Sequence, residues 1–394
     1  MNSEKLEKNR IPPENPTDGG IYYERTADKY RRLKWLSVAV SLLTAVLVLL
    51  FSGNAFRAVQ LRYLVKYWDI NPTTLDARYA DIVYAVGGGS RFAFYRDDLA
   101  VFGEEKFALY DLAGELVYRD TAPSGKLSAD NAGSRLAVFS PGGRRVDLYH
   151  SFAKEGTLSF AMPISDVSVS DAGVVAACLK SESGALIELY DAGLSLTQTI
   201  NVAGGVVMDT AISPDGDTLC TLSLSSAGGS YFTTVTLWNT KSGEKRAEEL
   251  FSGKKPISVG FFAHGEIFAV TDRSVILFRD DGARISELLL SDEPSAFCAQ
   301  KDRLLVEERS GRILLLNAKG DVLFTKAPMG VLDIALSGEL TYLLTERAIL
   351  VLDKDGVTVM QADVAGGALD FFVLDDGSVL ICYPTQTTRV KPIS

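Results

Sequence analysis

The chain has 394 residues, 47% hydrophobic and 23% charged, the balance of a globular protein rather than a disordered or fibrous one. Its net charge of −10 repels phosphate backbones and argues against nucleic acid as a partner. Only two histidines, His150 and His264, and four cysteines at metal-unlike spacings (Cys178, Cys220, Cys298, Cys382) argue against a His- or Cys-rich metal centre.

Residues 1–34 open with the polar, proline-containing stretch EKLEKNRIPPENPTDGG, which cannot bury enough apolar surface to order itself and is expected to be a disordered tail. Residues 35–53, WLSVAVSLLTAVLVLLFSG, follow without a single charge. That run is long enough, as a helix, to cross a hydrocarbon core of about 30 Å. Ser37, Ser41 and Thr44 can hydrogen-bond back to the helix's own carbonyls. Lys29, Arg31, Arg32 and Lys34 crowd the near flank, so the positive-inside rule predicts a cytoplasmic N-terminus and an extracytoplasmic body, anchored in the cell membrane by a single span. A cleaved signal peptide ending near Gly53-Asn54-Ala55 is the rival reading; the long polar tail and the length of the run favour an anchor. Residues 54–78 read as a stalk, with a helical stripe through FRAVQLRYLVKYW that Asn71-Pro72 breaks.

From residue 79 onward one pattern recurs: an apolar strand ending in an aromatic or leucine, then a polar turn. It appears as FALYDLAG (107–114), VDLYHSF (146–152), IELYDAG (187–193), VTLWNTKSG (235–243), VILFRDDG (275–282), ILLLNAKG (313–320) and ILVLDKDG (349–356), with a worn last copy, TTRVKPI (387–393). The anchors lie roughly 36–48 residues apart, and β-propeller blades of the WD40 class repeat at about 40–45 residues with four strands each. The third unit is the most legible: strands at 164–170, 174–180, 185–191 and 195–201, joined by Asp-Ala-Gly or Ser-Glu-Ser-Gly turns that supply positive φ. The four cysteines all fall inside such strands and read as buried free thiols; a Cys178–Cys220 bridge is the alternative in an oxidising compartment.

The last unit runs out of chain after three strands, whereas ADIVYAVG (80–87) is a strand with no unit of its own. Pairing the two closes a ring and removes an exposed edge. The expected fold is therefore all-β: an eight-bladed propeller over 79–394, or seven-bladed if the worn unit is misread, after one N-terminal transmembrane helix.

Ile212-Ser213-Pro214-Asp215-Gly216 resembles the turn between the first two strands of WD40-like and YVTN-like propellers, with Asp171-Ala172-Gly173 and Asn131-Ala132-Gly133 as degraded copies. True WD40 repeats would add a Trp-Asp dipeptide after the third strand and an opening Gly-His, and neither occurs here. The whole layout is similar to a family of Gram-positive bacterial proteins with one span and an external propeller, a resemblance that implies no activity.

Aligned first strands share a polar position: Asp166, Asp209, Ser258, Ser295, Asp333 and Asp370, with Ser128 a weaker member. First strands line a propeller's central channel, so these carboxylates are expected to crowd one rim. Converging carboxylates suit a cation such as Ca²⁺ or a basic ligand group; alternatively each accepts hydrogen bonds from its own turn. The chain direction puts this rim on the face turned away from the membrane. On that face, the excursion Ser225–Thr234 carries Tyr231 and Phe232, which read either as a partner-binding patch or as early strand residues packed inside. Asp353-Lys354-Asp355-Gly356 reads as a hairpin turn rather than a calcium loop, and neither histidine is placed for a catalytic triad. The sequence thus points to a non-enzymatic binding or scaffold module for a protein or cell-envelope ligand. A metal-dependent, lactonase-like hydrolase working from Asp166, Asp209, Asp333 and Asp370 is the alternative.

Overall fold

The computed structural model describes residues 16–51, 81–84 and 91–393, apart from the short stretches 96–97, 104–105, 122–124, 133–134, 151–152 and 183. The predicted stalk (54–78) and the end of the apolar run lie outside the described residues. Two compact units result, divided between Leu61 and Arg62.

The first unit is one α-helix, Pro16–Phe51. It begins well inside the stretch expected to be a disordered tail. Pro16 occupies the first helical position, where its missing N–H costs no hydrogen bond and its fixed φ is already helical. Thr44 Oγ1 donates back to the Val40 carbonyl at 2.8 Å, as its place in the run predicts. Among the described residues, no helix is long and apolar enough to cross a membrane.

The second unit contains seven four-stranded antiparallel sheets and one three-stranded sheet, arranged as an eight-bladed propeller. Seven blades would have left the last sheet unaccounted for. Numbered in chain order, the blades begin with innermost strands Arg91–Tyr95, Ser128–Ala132, Ile164–Val169, Val206–Ile212, Pro256–Phe261, Pro294–Gln300, Val331–Ser337 and Asp370–Val373. In blade 3 the remaining strands are Val175–Ser181, Gly184–Tyr190 and Leu196–Ala203, within a residue or two of the pattern read from the sequence.

Local chemistry fixes these hairpins. After the third strand an Asp or Asn folds back on its own turn: Asp191 Oδ1 accepts from the N–H groups of Gly193 (2.9 Å) and Ser195 (2.8 Å). Asp353 Oδ1 does the same with Asp355 and Val357, so that segment is a turn. The Ser213-Pro-Asp-Gly turn is closed by Ser213 Oγ donating to Asp215 Oδ1 (2.5 Å) and accepting from Thr218 N–H (2.9 Å). Gly216 sits there at φ +79°, where a Cβ would come within 2.8 Å of Val174 Cγ2.

The core lies between blades, because each second and third strand is covered on both faces. Ala176, Ile187 and Leu189 of blade 3, for example, pack against Val207, Ile212 and Leu219 of blade 4. All four cysteines are free; Cys178, Cys220 and Cys382 are buried and Cys298 is half-buried, so the Cys178–Cys220 bridge does not form.

The ring closes as the sequence implies. Ile82 N–H donates to Thr387 Oγ1 (3.0 Å), and the Ile82 carbonyl accepts from Thr387 N–H (2.9 Å). Tyr84 N–H donates to the Thr385 carbonyl (3.0 Å), and Val83 bridges Gln386. Ile82 and Tyr84 then fill the seam between blades 8 and 1 with Leu99, Val101, Tyr110 and Leu380. Beyond the last strand, Ile393 pairs with Gln361 on the outer strand of blade 7.

Candidate functional site

In blades 3 to 7 the innermost strand slips by one residue against its neighbour, leaving Ser165, Met208, Ile257, Ser295 and Leu332 unpaired. In blade 8 Leu369 N–H reaches the Cys382 carbonyl (2.8 Å), which Asp370 faces in register. Such bulges re-aim the residues beside them. The residue after each slip is Asp166, Asp209, Ser258, Ala296, Asp333 and, in blade 8, Asp370. Ser295 therefore does not belong to the series: it is a bulge residue, and like Ser165 it donates to a carbonyl of the second strand (Glu307 at 3.1 Å; Cys178 at 3.0 Å for Ser165). The inserted residue is invisible to a gap-free alignment of strands.

These side chains reach across to the next blade. Asp166 Oδ2 accepts from Thr210 N–H (2.9 Å) and Thr210 Oγ1 (2.6 Å). Asp209 Oδ2 accepts from Val259 N–H (2.8 Å) and Ser258 Oγ (2.5 Å). One step deeper, Asp130 Oδ2 accepts from Val169 N–H (2.7 Å) and Ser168 Oγ from Ile212 N–H (3.1 Å). Asp130, Asp166 and Asp209 thus fasten blades 2, 3 and 4 each to its successor, whereas Asp333 and Asp370 accept from the N–H groups of their own neighbours, Ile334 and Phe371. Asp130 escaped the sequence reading, although it lies two residues beyond Ser128 and so on the same side of the strand.

The four predicted carboxylates form two pairs, not one ring. Asp166 and Asp209 share the blade 3–4 side, while Asp333 and Asp370 lie near each other across blades 7 and 8, on the opposite side of the ring. Asp130, Asp166 and Asp209 wall a cleft of about 360 Å³ with Ser128, Ser168 and Phe261, and no lysine or arginine is among its described lining residues. Burial pushes Asp130 up to about 6, against the pull of the Val169 N–H. Burial, with the Asp166 charge added, lifts Asp209 to about 7. Burial and the adjacent Asp333 carboxyl lift Asp370 to about 8. Among the described residues, no group of three or more His, Cys, Asp or Glu side chains is arranged to hold a metal ion.

Tyr231 and Phe232 do not sit in a loop. They belong to strand Ser230–Asn239, paired with Ser226 and Ser225, and the excursion is the tip of a long hairpin turning at Gly228-Gly229. Both are half-buried, and Tyr231 Oη donates to the Gly253 carbonyl (3.3 Å). The sequence reading also missed the exposed apolar residues on the slipped positions: Met208 (49% exposed), Leu332 (48%) and Leu369 (52%).

No curated protein sequence matches the chain. Among solved structures it is similar to Sqt1 of Saccharomyces cerevisiae (TM-score 0.60, 12% identity, 80% of this chain and 98% of that one). It is also similar to the C-terminal WD40 domain of Sif2 (0.58, 12%, 80% and 100%). BamB from Moraxella catarrhalis gives 0.54, 12%, 80% and 97%. Likeness at such identity establishes the propeller fold and nothing more. Residues 81–391, the propeller almost entire, match a single family, and the chain belongs to it: the family of unknown function DUF5711.

Proposed function

We propose that the protein is a membrane-anchored, extracytoplasmic propeller that binds or scaffolds a protein or cell-envelope partner without catalysing a reaction. The observation that carries this reading is the apolar fringe of the channel mouth. Met208, Leu332 and Leu369 stand about half exposed where the bulges eject them, and Met329 beside them is 90% exposed. Exposed apolar groups around a polar centre are characteristic of docking faces. Tyr231 and Phe232, on the hairpin that ends at this same face, extend it. The anchor rests on the uncharged run 35–53, whose Leu36, Val38, Val40, Leu42 and Leu43 are all exposed, and on its basic flank.

A photo-crosslinking residue placed at Met208, Met329 or Leu332 in the full-length chain tests the binding reading in cells. One discrete adduct recurring at all three sites and lost on Leu369→Asp supports it; adducts no different from those at the outer-rim Lys245 overturn it. Protease shaving of intact cells tests the topology.

The cleft between blades 2 and 5 favours a second reading, a Ca²⁺-dependent hydrolase using Asp166 and Asp209. It requires those carboxylates to release the N–H groups they now hold. A rise in melting temperature with Ca²⁺, reversed by chelator, would favour it.

A further inference from the structure

Helix Pro16–Phe51 carries a groove lined by Arg31, Arg32, Trp35, Leu36 and Ala39. At about 100° per residue these positions fall within one arc of about 140°. Leu42, Leu43 and Val46 continue the same arc toward the C-terminus, and all three are exposed. The hydroxyl residues Ser37, Ser41 and Thr44 fall on the opposite side of the helix, where Thr44 Oγ1 is turned back onto the Val40 carbonyl. The arc thus opens with two guanidinium groups, passes an indole and continues as an unbroken apolar strip. From Trp35 to Val46 the strip rises about 16 Å, half of a hydrocarbon core of about 30 Å.

Charge selects what such a strip can hold. Lys29 and Lys34 border the arc, so four exposed cations stand together, and residues 29–51 contain no acidic side chain to balance them. Two neighbouring arginine forks match the oxygens of a phosphate group. An indole beside them is suited to headgroup depth. A choline headgroup would bring its own cation against these four charges, whereas an anionic headgroup brings none.

We propose, resting on the membrane-anchored reading above, that this arc seats one anionic phospholipid of the leaflet next to the N-terminal flank. Arg31 and Arg32 take its phosphate, Trp35 meets its glycerol region, and an acyl chain lies along Leu36 and the apolar strip that follows. Lys29 and Lys34 add attraction at the surface without gripping the phosphate. The bound lipid neutralises two adjacent guanidinium groups that otherwise repel each other, and it fixes the depth of the helix.

Native mass spectrometry of the full-length chain, released from nanodiscs with equal amounts of phosphatidylglycerol and phosphatidylcholine, tests this by counting the lipids that stay bound. Phosphatidylglycerol should be retained at least about tenfold over phosphatidylcholine. Arg31→Gln with Arg32→Gln should bring the ratio near one, whereas Lys29→Gln with Lys34→Gln should leave most of it. Inorganic phosphate at millimolar concentration should not displace the lipid; displacement would mark a site for free phosphate and overturn the lipid assignment. A preference that survives the double arginine variant, or that falls as far with the lysine variant, also overturns it. A chain that enters nanodiscs of neither lipid overturns the anchor reading and this proposal with it. Equal retention of both lipids by an unmodified chain that does enter overturns this proposal alone.

Discussion

Replacing Asp209 by Asn probes the carboxylate that ties blade 4 to blade 5. Its acceptor role survives, because Asn Oδ1 can still take the Val259 N–H; its ability to ionise does not. In the folded chain, burial and the Asp166 charge lift this carboxyl from an ordinary 3.8 to about 7. The native state therefore holds a proton that the unfolded chain has released. The resulting stabilisation is fully present below pH 3.8 and is lost as pH rises through about 7. One proton held over the two pH units from 7 down to 5 contributes about 1.4 kcal/mol per unit, hence about 3 kcal/mol at most. Carboxylates with lowered values, among them Asp147, Asp215, Asp376 and Glu287, titrate below this window and do not mask the effect. The assay is urea unfolding at pH 5, 6, 7 and 8, followed by the fluorescence of Trp238, whose indole N–H is held by Thr221 Oγ1 at 3.1 Å. Asp209 should supply about 2–3 kcal/mol of the gain on going from pH 7 to pH 5, and Asp130, near 6, and Asp370, near 8, should add to it in the unmodified chain. Asp209→Asn should gain about 2 kcal/mol less than its parent over this interval and be at least as stable as its parent at pH 8. A parent that loses stability toward pH 5, or a variant that matches the parent's slope, refutes the reasoning.

Arg135→Ala should cost about 3 kcal/mol of unfolding free energy, because this nearly buried guanidinium joins Glu155 (2.6 Å) and the Ala192 carbonyl (2.6 Å) and ties blade 2 to blade 3; urea midpoints measure it, and a loss below about 1 kcal/mol would contradict the role given to this contact. Thr387→Val should cost about 1–2 kcal/mol by leaving Ile82 N–H unmatched, and exchange at Ile82 should accelerate before that of any other blade. Gly216→Ala should cost about 1 kcal/mol or more through its positive φ and the approach to Val174, read as a drop in melting temperature. The buried Cys178, Cys220 and Cys382 thiols, raised by burial, should resist a thiol reagent in the native protein and react at once in urea; rapid native labelling at three sites would contradict the packing.

Most of the propeller was legible because its information is local. The alternation in 185–191, the turn glycines and the Asp or Asn that follows several third strands act within a few residues, so the strands of blade 3 could be read almost to their ends. The unpaired 80–87 segment and the short last unit also revealed the closure. What stayed hidden depends on residues far apart in the chain. A bulge is defined by the neighbouring strand, so Ser295 was aligned where Ala296 belongs. Asp130 acquires its role from Val169, a partner in another blade. The grouping of Asp166 with Asp209 and of Asp333 with Asp370 follows from blade order, which no single strand encodes. Tyr231 and Phe232 could be read as a loop patch or as early strand residues because their serine- and glycine-rich neighbours weaken the strand signal, and ladder pairing with Ser226 and Ser225 extends the hairpin through them. The helix reached back to Pro16 because a polar composition does not forbid a helix that a longer apolar segment has already nucleated.

The two residues that lock the ring, Ile82 and Thr387, stand 305 positions apart. A ribosome delivers Thr387 long after Ile82. Until residues 370–390 are made, blade 8 lacks its strands, and the apolar seam facing blade 1 has nothing to cover it. At about 5–20 residues per second this open interval lasts tens of seconds. The growing chain is thus a spiral with one sticky end, and a second nascent copy offers the same missing strand. Any cell that makes this protein must either shield that end or keep neighbouring chains apart until Thr387 emerges.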